Sequence, residues 1–251
     1  MARKESQAQE STGLVQRMGQ RISALLRRCH LCESAIAQIN NQHHLCDHCW
    51  QALPWNQHYC QHCAHPTASP VARCGNCLDS QNHYRRCVCP LIYDYPVDHL
   101  ITRYKNNQHR LQGLLETVIQ QGLTAFEHRD WDGVLAVPMH PKNQWRRGFN
   151  QSHVLASFVA RTLHIPLIEG FQQSQLLSSQ KALSRKQRQS NLKNAFQMTQ
   201  SLHGKTLLLI DDVVTTGSTI EAASRTLQSA GAHSIDVLAL ARTPNPKTRL
   251  S

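Results

Sequence analysis

The chain has 251 residues, with 27 lysines and arginines against 16 acidic residues and a formal net charge of +11. This length allows one large or two unequal domains with a real core, and the charge implies an anionic partner: a phosphorylated substrate, nucleic acid, or both. No segment reaches the roughly 20 consecutive apolar residues of a membrane span, and an aromatic content of 6% argues against an extensive base-stacking platform.

Residues 13–28 place Leu14, Val15, Met18, Ile22, Leu25 and Leu26 at helical spacing, interrupted by Arg17, Arg21, Arg27 and Arg28. The pattern predicts an amphipathic packing helix within an N-terminal tail, residues 1–28, and lacks the apolar core of a signal peptide. The expected location is the cytoplasm, where thiols stay reduced, so the ten cysteines need an explanation other than disulfides.

Their spacing supplies one. Cys29, Cys32, Cys46 and Cys49 form one pair of Cys-x-x-Cys knuckles, and Cys60, Cys63, Cys74 and Cys77 form a second. Each quartet can close a tetrahedral structural zinc site. Metal is needed because residues 29–80 hold few large apolar side chains. Sequential pairing is the simpler arrangement, although spacing alone leaves a cross-braced one open. The nearby His43, His44, His48, His62 and His65 read as exposed polar residues, and Trp50, Trp55 and Tyr59 as packing for a small ribbon core. Cys87 and Cys89 fall outside the pattern. The expected organisation is a double zinc ribbon over residues 29–87, a larger domain over 88–245 and a tail over 246–251.

In the larger domain, residues 88–95 read as a strand, 97–126 as two helices and 133–138 as a short apolar strand. A helix over 152–163, a brief strand over 166–168 and a basic helix over 179–193 follow. Strand 206–210, helix 220–230 and strand 235–241 complete an alternation that implies a parallel α/β sheet. No acid lies between Glu169 and Asp211, whereas Lys181, Arg185, Lys186, Arg188, Lys193 and Lys205 do. A solvated helix face is the ordinary fate of such a run; with no opposite charge nearby, Lys181, Arg185 and Arg188 become the nucleic-acid candidates.

The most informative segment is Leu207-Leu208-Leu209-Ile210-Asp211-Asp212-Val213-Val214-Thr215-Thr216-Gly217-Ser218-Thr219. It reads as a strand buried on both faces, an acid pair beyond its carboxyl end, and a hydroxyl-rich turn opening a helix. Acids can accept hydrogen bonds from vicinal ribose hydroxyls, and a helix start offers free N–H groups to a phosphate. Simple helix capping would need only one such side chain.

This segment resembles the phosphoribosyltransferase fingerprint for phosphoribosyl pyrophosphate (PRPP). Further residues narrow the resemblance: Val137-Pro138-Met139-His140-Pro141-Lys142, Arg146-Arg147-Gly148-Phe149-Asn150-Gln151-Ser152, then Gln180, Leu183, Arg188, Asn191 and Ala195-Phe196. Over residues 29–243 the chain is similar to the competence protein F (ComF) family of bacteria. The resemblance implies a type I phosphoribosyltransferase-like parallel sheet behind a small N-terminal double zinc ribbon with sequential pairing. Asp211 and Asp212 would hold the ribose hydroxyls, and Thr215, Thr216, Gly217, Ser218 and Thr219 the 5-phosphate. Met139, His140 and Pro141 would form the pyrophosphate loop, with Arg146 and Arg147 on a mobile segment covering the leaving group. Mg²⁺ would accompany PRPP, and a nitrogen nucleophile would displace pyrophosphate from ribose C1. Competence-machinery proteins become candidate partners.

Two departures stand out. Residues 91–130, with Tyr93, Asp94, Tyr104 and Lys105, show no base-reading pattern, and Gln173, Gln175 and Leu177 stand where the family often has arginine and threonine. Three readings stay open: a phosphoribosyltransferase serving DNA uptake, a zinc-ribbon adaptor for single-stranded DNA, and a PRPP- or nucleotide-sensing regulator without turnover.

Overall fold

The structure, a computed structural model, describes residues 28–36, 44–78, 82–173 and 195–244. Residues 13–27 of the expected N-terminal helix, the basic helix with Lys181, Arg185 and Arg188, and the tail lie outside the described residues, as do Gln175, Leu177 and Gln180.

Two nine-residue strands, β6 (Thr206–Val214) and β7 (Ser234–Arg242), form the middle of the sheet. They run parallel in register from Thr206↔Ser234 to Val214↔Arg242. β3 (Gly133–Ala136) pairs with the other side of β6, and β1 (Arg86–Val88) and β2 (Leu91–Ile92) both pair with β7, all parallel. The apolar runs reflect burial on both faces. Leu208, Ile210, Leu238 and Leu240 face one core, and Leu207, Leu209, Val237 and Ala239 face another.

Two short helices, α1 (Asp47–Gln51) and α2 (Gly75–Leu78), lie in the cysteine-rich region. The first core is closed by α3 (Val97–Lys105), α4 (Gln112–Leu123) and α6 (Gln151–Leu163). In α4 the buried residues Leu115, Val118, Ile119 and Gly122 recur at one-turn spacing, which turns one face to the sheet. A Cβ at Gly122 would lie 2.6 Å from Leu238 Cδ1 and 2.7 Å from Pro90 Cγ, so glycine sets the helix-to-sheet distance. The second core is closed by α7 (Ser218–Ser229), through Ile220, Ala223 and Leu227.

Several elements differ from expectation. The strand over 88–95 begins at Arg86 and breaks into β1 and β2 around Pro90, which has no N–H to donate to a ladder. The strand over 166–168 is reduced to a single parallel bridge, Val134↔Leu167. A short helix, α5 (Pro141–Arg147), and an antiparallel pair, β4 (Phe171–Gln173) with β5 (Phe196–Met198), were not anticipated.

The two cysteine-rich units grip the β1–β2 edge. Asn56 N donates to Pro90 O and Ile92 N to Pro54 O, each at 2.8 Å, so the linker between the units runs as an extra edge segment. The first unit sends Ile36, Leu45 and Leu53 into the same core as α3 and α4. Trp50 and Trp55, edge-to-face at 4.9 Å, pack against that shared core and not a private ribbon core. The second unit lies against the opposite face, where Ala64 joins the core under α7. His62 is buried, not exposed as its polarity suggested; it stacks on Tyr84 and its Nδ1 lies 3.1 Å from Arg85 O.

Candidate functional site

The acid pair does not follow the strand but belongs to it. β6 continues through Asp211, paired with Ala239, to Val214, whereas its ladder with β3 stops at Ala136↔Ile210. One flank of Asp211 and Asp212 is therefore free for the loop after β3.

Asp211 is buried and accepts hydrogen bonds from Ser152 Oγ at 3.1 Å and from Asp212 N at 2.9 Å. Burial, followed by the charge of Asp212, pushes its pKa up to about 7. Asp212 is more open. Its Oδ2 lies 2.6 Å from Lys105 Nζ at the end of α3, and its Oδ1 accepts from Val213 N at 2.6 Å.

Thr215 and Thr216 are exposed, and Gly217 turns the chain with φ 83°, a left-handed value that favours glycine, into α7 at Ser218. Thr216 Oγ1 accepts from Ser218 N at 3.3 Å and lies 2.9 Å from Ser218 Oγ. Glu221, in the first turn, is bound to His83 through the ring Nδ1 and the backbone N.

Register carries the second motif to the same edge. Val137 N donates to Ile210 O at 2.8 Å, which sets Pro138 and Met139 beside the acids. Asn150 fastens this loop: its Nδ2 donates to Val137 O at 3.1 Å while its Oδ1 accepts from Ser152 N at 3.0 Å, capping α6. The same helix start thus holds the β3 loop and, through Ser152, Asp211. His140 Nδ1 accepts from Lys142 N at 3.2 Å and caps α5, whose last residues are Arg146 and Arg147. No ion pair with either arginine occurs among the described residues.

A cleft of about 610 Å³ opens between this loop and β4, lined by Pro138, Met139, Phe149, His153, Ile168 and Gln172. Met139 faces it, but Asp211, Asp212, residues 215–219, His140, Arg146 and Arg147 do not line it. The predicted residues therefore fall into an acid-and-hydroxyl group on β6–α7 and a basic group on α5.

The cysteines converge as the two sequential quartets, with all sulfurs in each within 4.8 Å of one another. A tetrahedral Zn–S distance of about 2.3 Å implies sulfur separations of about 3.8 Å. Cys32–Cys46 lies at 3.6 Å, Cys63–Cys74 and Cys74–Cys77 at 3.7 Å, and Cys60–Cys77 at 3.9 Å. Cys74 N also donates to Cys60 Sγ at 3.2 Å. The donor set fits structural zinc in both quartets. Cys87 and Cys89 lie apart in the second core, buried, with sulfurs 3.8 Å from each other.

The parallel sheet and the strand-to-helix turn at its carboxyl edge place the larger unit in the type I phosphoribosyltransferase class, preceded by a double zinc ribbon. The phosphoribosyl transferase domain family matches residues 150–250, and the double zinc ribbon domain family matches residues 24–78. Competence protein F of Haemophilus influenzae is 34% identical over 178 residues, covering 67% of this chain and 78% of that one. DNA utilization protein YhgH of Escherichia coli (strain K12) is 34% identical over 179 residues, covering 68% and 78%. Competence protein ComFC of Bacillus subtilis is 33% identical over 100 residues, 39% of each chain. The chain belongs to the competence protein F (ComF) family. Among solved structures, a purine phosphoribosyltransferase from Pyrococcus horikoshii Ot3 aligns with a TM-score of 0.33 and 17% identity over 51% of this chain, too remote to inform side-chain roles. Among the described residues, no helix is long and apolar enough to cross a membrane.

Two site residues had no assigned role in the sequence. Lys105 stood in a region without a recognisable pattern, and Ser152 closed a motif without a stated partner. Each acts on a segment distant in the chain, which periodicity cannot reveal.

Proposed function

We propose that this ComF-family chain binds PRPP and acts as a cytoplasmic phosphoribosyltransferase in natural competence, serving the uptake and use of external DNA. One observation carries the reading. Asp211 and Asp212 lie in the C-terminal half of the same strand, β6, whose hydroxyl-rich loop, residues 215–219, turns at Gly217 into α7. In this reading the acids hold the ribose hydroxyls, and the loop N–H and hydroxyl groups bind the 5-phosphate. The β3 loop with Met139 and His140, joined by Arg146 and Arg147 from α5, receives the pyrophosphate.

Catalysis then rests on positioning and charge. Asp211, anchored by Ser152, fixes the sugar while the C1–oxygen bond to pyrophosphate breaks and a nitrogen nucleophile adds; the electron pair leaves with pyrophosphate. The cysteine quartets are the only clusters of three or more metal-ligating groups among the described residues. A Mg²⁺ ion would accordingly be held by ligand oxygens and water, and would supply charge neutralisation on the leaving group. Lys181, Arg185 and Arg188 remain the proposed contacts for single-stranded DNA, expected to give a salt-dependent affinity that their neutralisation removes.

The test is calorimetric titration of the zinc-loaded protein with PRPP and Mg²⁺, beside the Asp211→Asn/Asp212→Asn double variant. Binding by the wild type alone supports the reading and justifies screening nitrogen acceptors by pyrophosphate release. No binding by either protein removes it. Binding with no release across acceptors would favour a sensing role.

A further inference from the structure

Arg242, the last residue of β7, is 7% exposed, yet no carboxylate pairs with it among the described residues. Its partners are backbone carbonyls. Nε donates to Cys63 O at 3.1 Å, and Nη1 faces Val214 O at 3.0 Å, Thr243 O at 3.3 Å and Thr215 O more closely. A buried cation with only neutral acceptors is costly to maintain, so its partners indicate what it organises.

On one side lies the second metal knuckle. Three successive carbonyls there accept bonds from outside the Cys60–Cys77 loop: His62 O from Cys87 N at 2.8 Å, Cys63 O from Arg242, and Ala64 O from Asn56 Nδ2 at 2.9 Å. On the other side lies the start of loop 215–219. A trans peptide points its C=O and the following N–H in opposite directions. Carbonyls of Val214 and Thr215 drawn inward to Arg242 therefore turn the N–H groups of Thr215 and Thr216 outward, where an anion would meet them.

We propose that Arg242 is a positioning residue that couples the zinc site of Cys60, Cys63, Cys74 and Cys77 to the anion-binding loop 215–219. The second ribbon then acts as a clamp on that loop and not only as a folding staple. The anion's identity as the PRPP 5-phosphate rests on the proposed function; the coupling itself does not.

The test compares wild-type and Arg242→Lys protein, full-length and loaded with zinc, with Arg242→Gln as a second variant. Lysine keeps the charge but cannot reach carbonyls on both sides at once. Hydrogen exchange of peptides spanning 213–220 should quicken on the order of tenfold, the weight of one charged hydrogen bond, with exchange in 112–123 unchanged. One of two zinc equivalents should pass to a chelator faster by a similar factor while the other keeps its rate. In wild-type protein, loop exchange should rise in step with chelation of that first equivalent, a measurement that needs no variant.

Unaltered loop exchange in the variants, or a rise shared equally with 112–123, overturns the positioning role. Faster loop exchange without faster zinc release overturns the coupling. Failure of wild-type protein to bind PRPP would remove the proposed ligand while leaving these readouts decisive.

Discussion

Asp211 sits where a carboxylate is expensive to ionise, buried beside a second acid. Its pKa, pushed up to about 7, lies above the value of about 3.9 in an unfolded chain. The folded state therefore holds this proton more tightly, and the resulting stabilisation is present below pH 4 and lost as pH rises towards 7. Asp211→Asn should raise ligand-free stability at pH 8 by on the order of 2 kcal/mol, with a smaller gain at pH 5, while abolishing the proposed PRPP binding. Thermal melts at the two pH values check this, and an equal difference at both would refute it. Lys105 lowers the Asp211 pKa through space, so Lys105→Met should move the Asp211 titration upward, as followed by carboxylate NMR. The acids were legible in the sequence because two carboxylates directly after an apolar run are an uncommon pattern. Lys105 was not, because its role depends on how α3 packs over the sheet edge.

At the scale of elements, long apolar or periodic segments were readable and short polar ones were not. Strands over 206–210 and 235–241 and helices over 152–163 and 220–230 match β6, β7, α6 and α7 to within a few residues. α5 escaped because it buries none of its residues; a helix without an apolar face leaves no period to detect. It is set instead by its ends, His140 as cap, Pro141 at the first turn and Gly148 at φ 84°. The β4–β5 pair is too short to announce itself, with three residues in each strand. Gly122 separates propensity from packing. In an exposed helix, Gly→Ala would gain about 1 kcal/mol; here the new methyl would press on Leu238 and Pro90. Gly122→Ala should therefore destabilise by about 1–3 kcal/mol, measured by urea unfolding, and a net gain would show that α4 can shift away from the sheet.

Taken whole, the molecule is less divisible than its cysteine spacing suggests. A small ribbon lacking a core was expected to rely on metal alone, but the first quartet's Leu45 and Leu53 lie in one core with Leu100, Ile101 and Leu238. The linker, meanwhile, covers the β1–β2 edge that would otherwise present unpaired backbone groups. Loss of zinc from Cys29, Cys32, Cys46 and Cys49 should consequently reach the sheet. Each large side chain withdrawn from that core removes about 1.5–3 kcal/mol, and an ordinary domain has only about 5–15 kcal/mol in all. Chelation, or Cys32→Ser, should lower the melting temperature of the α/β unit in a single calorimetric transition, and restored zinc should recover it in the chelated protein. Two transitions, with the upper one unmoved by chelator, would instead mean that the ribbons fold on their own and that the shared core contributes little to the sheet's stability.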